Sequence, residues 1–385
     1  LPDSLTNFEK ELFKGTEIKS IRIPDGVKEL GYNTFDGYTK LIDIDFNKVE
    51  SITAPFGNAG SEKGEDETFA LTIPATMKEM NVKEVGLSTY NVFNKYVDEV
   101  VLNVAPQANL FDGASSLKKV TFNVEITEIP DYMFRDCNSL TEFVIPSKVT
   151  SIGKYAFYST GIKEITIPAS VRTIGTNAFS TYSDADKKFT ELTKVVFEEG
   201  TVEIGDKAFQ NCNKLETVVL PATLEKIGAN AFDGAVSLKT IAIPANLKVI
   251  GAYAFAGCTG IKSVILPKGI SLGTDCFRNW TKEQTVNYRG SKTDVIILAD
   301  DSFTKFYIEE DWYLKFCTNT GDVETSERAT LVCDYEDPKV EPSEGGEQGG
   351  TTEDGGTTGG TTETGKTEEG NTGKDSAEEG QTTEG

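Results

Sequence analysis

Apolar and polar positions along most of this chain repeat, in most cases every 22 or 23 residues, and a phenylalanine marks most of the repeats. No unit of this length can bury its own apolar face, so neighbouring units must bury it between them. The pattern therefore predicts a solenoid of stacked repeats. The phenylalanines that mark it are Phe13, Phe35, Phe56, Phe111, Phe134, Phe157, Phe179, Phe209, Phe232, Phe255 and Phe277.

Residues 238–255 show one repeat most clearly. Ile241 and Ile243 alternate with Ala242, which is the two-residue period of a strand with one buried face. Pro244 follows, and because proline has no N–H to donate, we expect it to end the strand. Each repeat is therefore predicted to contribute one short parallel strand.

The second half of the repeat carries a glycine and an Ala–Phe pair. We expect Gly251 to occupy a turn with positive φ, which glycine adopts without strain. Ala254 permits close approach of neighbouring repeats, and Phe255 fills the space between them. The equivalent glycines are Gly31, Gly153, Gly175, Gly205, Gly228 and Gly273.

The full unit is Leu-x-x-Ile-x-Ile-Pro, then x-x-Val-x-x-Ile-Gly, then x-x-Ala-Phe, and it resembles the BspA-like class of leucine-rich repeat. The resemblance implies an α/β or mainly-β repeat solenoid with one short parallel strand per repeat of 22–23 residues. It also implies a surface protein of bacteria or some protozoa, and some proteins of this class are adhesins for host matrix proteins or other cells. No catalytic motif comes with it.

Composition divides the chain into three predicted segments. Residues 1–289 form the solenoid, which begins within a repeat. Residues 290–337 are predicted to be a C-terminal cap or a small β-rich extension, because a solenoid exposes an apolar end unless something covers it. Residues 338–385 are rich in Gly, Thr and Glu, and we expect an acidic, disordered linker because so few side chains there are apolar.

Charge and composition exclude several functions. The net charge of −23 should repel nucleic acid and anionic membranes. No apolar run is long enough to span a bilayer, so we expect no membrane insertion by this chain. Histidine is absent, which removes Ser-His-Asp and Cys-His catalysis and every histidine-bearing metal site. The carboxylates follow no catalytic or calcium-binding spacing, so the sequence predicts no enzyme, no cofactor and no metal.

The six cysteines fall into two groups. Four lie within three residues of a marker phenylalanine and are predicted to be small buried fillers. The other two, Cys317 and Cys333, could form a disulfide in an oxidising compartment or remain thiols. The four predicted fillers are Cys137, Cys212, Cys258 and Cys276.

Two surfaces are candidates for partner binding. The first is a row of outward side chains on the strands, which would form an apolar stripe of the kind that marks a contact surface, or would only reflect the preference of β-branched residues for strands. The second is a pair of insertions, 57–67 and 180–191, which occupy the same slot of the repeat and should project from one edge. Both are either recognition loops or tolerated surface decoration. The candidate residues are Val144, Thr166, Val196, Val219, Ala242 and Ile265 in the row, and Tyr182 and Asp184 in the second insertion.

Taken together, these patterns predict an extracellular or cell-surface protein without catalytic activity. We expect it to bind a protein or glycan on a host or neighbouring cell, by adhesion or another protein–protein interaction. Two alternatives stay open: a passive stalk or scaffold, and the binding module of a larger enzyme whose catalytic domain lies outside this chain.

Overall fold

A computed structural model describes residues 1–10, 12–81, 83–85, 88–181, 191–281, 283–290, 296–298, 330–333 and 335–337. Within these ranges every regular element is a short strand, and no helix occurs. The strands are numbered β1 to β24 in chain order. They follow the predicted repeat, so the solenoid architecture is confirmed.

The front strands are those formed by the Ile-x-Ile part of the repeat, and each pairs in parallel with the front strand of a neighbouring repeat. They are β1 (Ser20–Arg22), β3 (Asp43–Asp45), β5 (Ala70–Ile73), β9 (Glu99–Leu102), β10 (Lys119–Phe122), β13 (Glu164–Ile167), β15 (Lys194–Phe197), β17 (Thr217–Val219), β20 (Ser263–Leu266), β22 (Thr285–Tyr288) and β24 (Thr330–Val332).

The back strands are a second set of two or three residues each, formed just before the glycine position of the repeat, and the sequence did not predict them. They are β2 (Glu29–Leu30), β4 (Ser51–Thr53), β6 (Glu79–Asn81), β11 (Glu128–Ile129), β12 (Ser151–Ile152), β14 (Thr173–Ile174), β16 (Glu203–Ile204), β18 (Lys226–Ile227), β19 (Val249–Ile250), β21 (Ser271–Gly273) and β23 (Ile296–Leu298). The remaining strands, β7 (Lys83–Val85) and β8 (Ser88–Tyr90), form an antiparallel pair.

Strand pairing places equivalent residues of successive repeats side by side. Ile165 of one front strand pairs with Val195 of the next, and Val195 pairs with Val218. Each inward position therefore becomes a column of buried side chains that runs through the solenoid. Strand β23 pairs with β21, and β24 pairs with β22. Both sets of strands thus continue into the segment 290–337.

The marker phenylalanines form a continuous stack in the core. From Phe93 to Phe277, successive rings lie 5.1 to 5.9 Å apart between centroids. The stack ends on Trp280, whose ring lies edge-on at 4.8 Å from Phe277. These rings are fully or almost fully buried. Aromatic pairs in this geometry add about 0.5–1.5 kcal/mol each beyond their area burial.

Phe93 is a member of the stack that the sequence pattern missed. Its ring lies 5.4 Å from Phe56 and 5.1 Å from Phe111, so it fills the gap between them. In the first repeat, by contrast, the marker phenylalanine that the sequence predicts is not fully buried. There Phe13 is only half-buried and contacts Tyr38, 6.3 Å away between ring centroids.

The recurring glycines have a different role from the predicted one. None of the seven has a positive φ, so the expectation for Gly251 was wrong. Glycine is needed at these positions for a steric reason. A Cβ on Gly251 would overlap the backbone of Ala229 in the preceding repeat, and a Cβ on Gly153 would lie 2.6 Å from the amide nitrogen of Asp131. Gly31 is the exception, with no atom within 4 Å of the added carbon.

The left-handed conformation occurs instead two residues before each marker phenylalanine from Phe35 to Phe277, but not before Phe93. Asn177, Lys207 and Asn230 have φ of 56°, 57° and 54°. This turn lets the backbone of most marker phenylalanines bond to the next repeat, as the Phe209 N–H does to the carbonyl of Ala231 at 2.8 Å. The third side of the solenoid is therefore held by a ladder of backbone hydrogen bonds.

The four cysteines beside the stack are buried, as predicted. In three of them the thiol donates a hydrogen bond to the carbonyl of the phenylalanine that marks the preceding repeat. Burial raises the pKa of these three thiols above its ordinary value, so they are neutral fillers. The pairs are Cys137–Phe111 at 3.1 Å, Cys212–Phe179 at 3.3 Å and Cys258–Phe232 at 3.1 Å. Cys317 lies outside the described residues.

Candidate functional site

The outward residues of the front strands lie on one side of the solenoid, which we call the front face. Its members from the predicted row are Val144, Thr166, Val196, Val219, Ala242 and Ile265, and none of them is buried. Their neighbours in sequence point inward: Val218 is buried, whereas the side chain of Val219 is 48% exposed. Alternation along each strand therefore presents this row to solvent.

The row begins with charged residues. Arg22 forms ion pairs with Asp3, Asp25 and Asp45, at 3.2, 3.0 and 3.5 Å. Hydrogen bonds from Lys48 and then Asn47 lower the pKa of Asp25 to about 2. This end of the front face is a charged network, and the apolar members of the row lie further along the chain.

The predicted stripe does not lie on a single sheet, because the front strands form three separate sheets. Thr166, Val196 and Val219 lie on the three-stranded sheet β13-β15-β17, and Ile265 lies on β20 of another. Val144 and Ala242 lie on segments that form no strand. The eight back strands from β11 to β23 stay continuous behind these breaks. The stripe is therefore interrupted at two places.

The first interruption leaves a stretch of backbone unpaired. In the part of the chain that the structure describes, Glu142, Phe143, Val144 and Ile145 make no backbone hydrogen bond. Side chains hold the segment instead: Ile145 is buried, and the ring of Phe143 packs on Phe134 and Phe157 at 5.0 and 5.2 Å between centroids. Val144 is 88% exposed.

Side-chain size distinguishes this repeat from its neighbours. Phe143 occupies the first inward position of the front segment, where Val120 and Ile165 stand in the adjacent repeats. A larger ring at a tightly packed position forces the backbone to shift. The second interruption is less complete, because Thr240 still forms an isolated bridge with Thr217.

Two grooves flank Val144. One, of about 440 Å³, lies between the unpaired segment and strands β13 and β15. The other, of about 340 Å³, lies between the segment and β10. Together they are lined by apolar groups such as Phe122 and Ile165, and by four glutamates and two lysines. The charged residues are Glu125, Glu142, Glu164 and Glu198, with Lys148 and Lys194.

The repeat of this chain matches a known protein family. The model of the BspA-type leucine-rich repeat region matches residues 1–58, 106–186 and 183–305, in six copies, which is more than half of the chain. The chain belongs to the BspA-type leucine-rich repeat family. No curated protein gave a significant match to this BspA-type protein.

One solved structure supports the fold, and others are related in sequence. A leucine-rich repeat protein from Bacteroides ovatus is 24% identical, with a TM-score of 0.55 over 74% of this BspA-type chain and 77% of its own. The leucine-rich repeat protein TpLRR of T. pallidum is 27% identical, with a TM-score of 0.33 over 45% of this chain and 72% of its own. A leucine-rich cell surface protein from Faecalibacterium prausnitzii is 19% identical, with a TM-score of 0.29 over 79% of this chain and 92% of its own. The last two scores are too low to compare architectures.

The first insertion of this BspA-type protein is tied to both neighbouring repeats. The N–H of Gly60 donates to the carbonyl of Tyr38 at 3.2 Å. Lys63 forms an ion pair at 3.3 Å with Asp98, whose buried carboxylate also accepts the N–H of Phe69 at 2.9 Å and pairs with Lys118 at 3.1 Å. This loop is therefore anchored through a buried charge rather than only attached at its ends. Residues 182–190 of the second insertion, with Tyr182 and Asp184, lie outside the described residues.

Sequence reasoning missed two features of the front face. Val332 joins the row, because β24 pairs with β22 and sets Val332 beside Asn287, yet some forty residues without a repeat pattern precede it. The unpaired segment was missed as well, because residues 140–146 match the repeat template; the one departure is Phe143, which offered a signal. Among the described residues, no cluster of acidic or cysteine side chains could hold a metal ion, and no helix could cross a membrane.

Proposed function

We propose that this chain is a non-catalytic binding protein of the cell surface that attaches to a protein or glycan of another cell through its front face. The observation that carries the proposal is the exposed row, above all Val144 and Val219, which are 88% and 48% exposed. Exposed apolar groups that follow one another on one side of a protein commonly mark a contact surface.

The repeat architecture supports this function. A solenoid offers an extended surface that one compact partner can follow over several repeats. The inward residues and the phenylalanine stack fix the backbone, so the outward residues are free to vary without loss of the fold. Membership of the BspA-type leucine-rich repeat family supports an interaction role without catalysis, and the resemblance to BspA-like proteins supports a surface location.

Binding of the full chain to an array of matrix proteins and glycans tests the proposal, with Val219→Glu as the variant. Val236→Glu is the matched control, because Val236 is 46% exposed but lies outside the row. We expect saturable binding to one class of partner that Val219→Glu weakens about tenfold or more, the effect of losing about 1.4 kcal/mol. We expect no change for Val236→Glu.

Two results would contradict the proposal. One is an equal effect of the two substitutions, which would place the contact elsewhere. The other is the absence of saturable binding across the array, which would favour a passive stalk.

A further inference from the structure

Four consecutive residues with unpaired backbone are unusual inside a parallel sheet, where each strand normally bonds to both neighbours. Glu142, Phe143, Val144 and Ile145 lie between β10 and β13, and each of these strands ends a sheet at this point. The break therefore leaves backbone N–H and C=O groups without protein partners on the segment itself. The edges of β10 and β13 that face the segment end their sheets, and unpaired strand edges are templates for pairing with another extended chain.

The break is also a place where side chains can be received. Val144 stands 88% exposed between grooves of about 440 and 340 Å³. Apolar groups line both grooves, Ile165 in the larger one and the half-buried ring of Phe122 in the smaller one. A strand laid along the segment would place one set of alternate side chains toward the apolar groups of the grooves and the other set toward the exposed glutamates around them.

The charged side chains around the grooves indicate the charge of the partner. Four glutamates line the two grooves against two lysines. Lys194 forms an ion pair with Glu164 at 3.3 Å, and Glu198 accepts a hydrogen bond from the N–H of Ala169 at 3.0 Å. The exposed Glu142 lies directly on the unpaired segment. The chain as a whole carries a net charge of −23. A cationic partner is therefore favoured over an anionic one.

We propose that the break at residues 142–145 docks an extended polypeptide segment in which apolar and basic side chains alternate. Its main chain bonds to the unpaired backbone, its apolar side chains enter the grooves beside Val144, and its basic side chains meet Glu142 and the neighbouring glutamates. Strand addition of this kind takes affinity from main-chain hydrogen bonds and specificity from the side-chain pockets. The inference rests on the proposed binding function and names the chemistry of the partner.

The probe is the labelled hexapeptide acetyl-Lys-Val-Lys-Val-Lys-Val-amide, titrated with the full chain and followed by fluorescence anisotropy. We expect saturable binding. The same peptide with alternate amides N-methylated keeps its charge and its side chains but loses main-chain donors, and we expect it to bind about tenfold more weakly or worse. The Glu-Val counterpart should not bind.

Two pairs of variants locate the site. Glu142→Lys should weaken the probe about tenfold, whereas Glu128→Lys makes the same charge change on an exposed back strand and should have no effect. Val144→Ala removes the side chain and keeps the N–H; Val144→Pro removes the N–H as well. Since that N–H has no partner in the free protein, the proline should leave the fold intact but weaken the probe more than alanine does.

Equal binding of the normal and N-methylated peptides to the wild-type chain would overturn the inference, because it would show attraction by charge alone, at the front face or at the acidic segment 338–385. This comparison needs no variant, so it decides even if Val144→Pro is misfolded. An equal effect of Glu142→Lys and Glu128→Lys would also overturn it. If Val219→Glu abolishes binding to an array partner while the probe fails to bind, the proposed function stands and only this inference falls.

Discussion

The rings of Phe179 and Phe209 lie 5.2 Å apart between centroids and are parallel to within 2°, although thirty residues separate them instead of the usual 22 or 23. The N–H of Phe179 bonds to the carbonyl of Ala208 at 2.8 Å, as in repeats without an insertion. Residues 180–191 therefore add length without disturbing the stack. Packing at the phenylalanine, not chain length, sets the spacing of the repeats.

Phe209→Ala should therefore be among the most damaging substitutions in the chain. It removes a fully buried ring with stacked neighbours on both faces, and such truncations lower the free energy of unfolding by about 3–5 kcal/mol. Urea denaturation measures the loss. Phe13→Ala is the control, because its ring is only partly buried, and it should cost much less. Similar losses at both positions would contradict a continuous stack.

Gly153→Ala and Gly31→Ala make the same chemical change at equivalent positions of two repeats. A Cβ at position 153 would lie 2.6 Å from the amide nitrogen of Asp131, whereas at position 31 it meets nothing within 4 Å. We expect Gly153→Ala to lower stability by about 1–3 kcal/mol through overpacking. Gly31→Ala should be neutral or stabilise by up to about 1 kcal/mol. Thermal denaturation compares the two.

If both glycines respond alike, the steric role is wrong. A loss at both positions would instead indicate that the turn needs the conformational freedom of glycine, as the sequence suggested.

Much of the fold could be predicted because each repeat restates the same information. The front strands and the Phe111–Phe277 stack follow from positions that recur many times. The back strands could not be predicted, because a pair such as Lys226–Ile227 is too short to show a two-residue period. Phe93 was missed because its repeat lacks the template glycine and is interrupted by the hairpin of β7 and β8.

The candidate site was predictable only in part. Which side chains of the front face point outward follows from alternation alone, and the structure agrees at Val218 and Val219. Whether neighbouring segments keep their hydrogen bonds depends on how side chains such as Phe143 fit between repeats. That fit is a property of three-dimensional packing, and one-dimensional periodicity does not contain it.

Asp98→Asn should loosen the first insertion as well as destabilise the repeat beneath it. The buried carboxylate meets Lys63 at 3.3 Å and Lys118 at 3.1 Å, and losing charged hydrogen bonds of this kind costs about 1.5–3 kcal/mol. Hydrogen exchange of residues 57–67 should rise together with the loss of stability. Glu203→Gln is the control, since its pair with Lys226 is exposed and such pairs contribute about 1 kcal/mol or less. Unchanged exchange in the Asp98 variant would show that the loop is held by other contacts.

Asp25 should give a measurable acid titration. Its pKa is lowered from 3.8 to about 2, first by the hydrogen bond from Lys48. A carboxyl whose pKa is lower in the folded state stabilises the fold above its unfolded pKa, and this contribution disappears as the pH falls from about 4 to about 2. Carboxyl-detected NMR should find the low pKa in the wild-type chain and a higher one in Lys48→Met. Lys163→Met, which removes a lysine elsewhere, should leave the pKa of Asp25 low. An equal rise of that pKa in both variants would show that the overall charge, and not the contact with Lys48, lowers it.

Val218→Glu and Val219→Glu place the same charge at adjacent positions of β17, one facing the core and one facing solvent. Val218 is buried, so its substitution leaves an unpaired carboxylate among apolar side chains and should unfold the repeat or lower stability by more than about 3 kcal/mol. Val219 is 48% exposed, so its substitution should change stability by no more than about 0.5 kcal/mol. Melting temperature by circular dichroism separates the two. A large loss at Val219 would mean that this position is covered in the folded protein, and the front face could not then be a free binding surface.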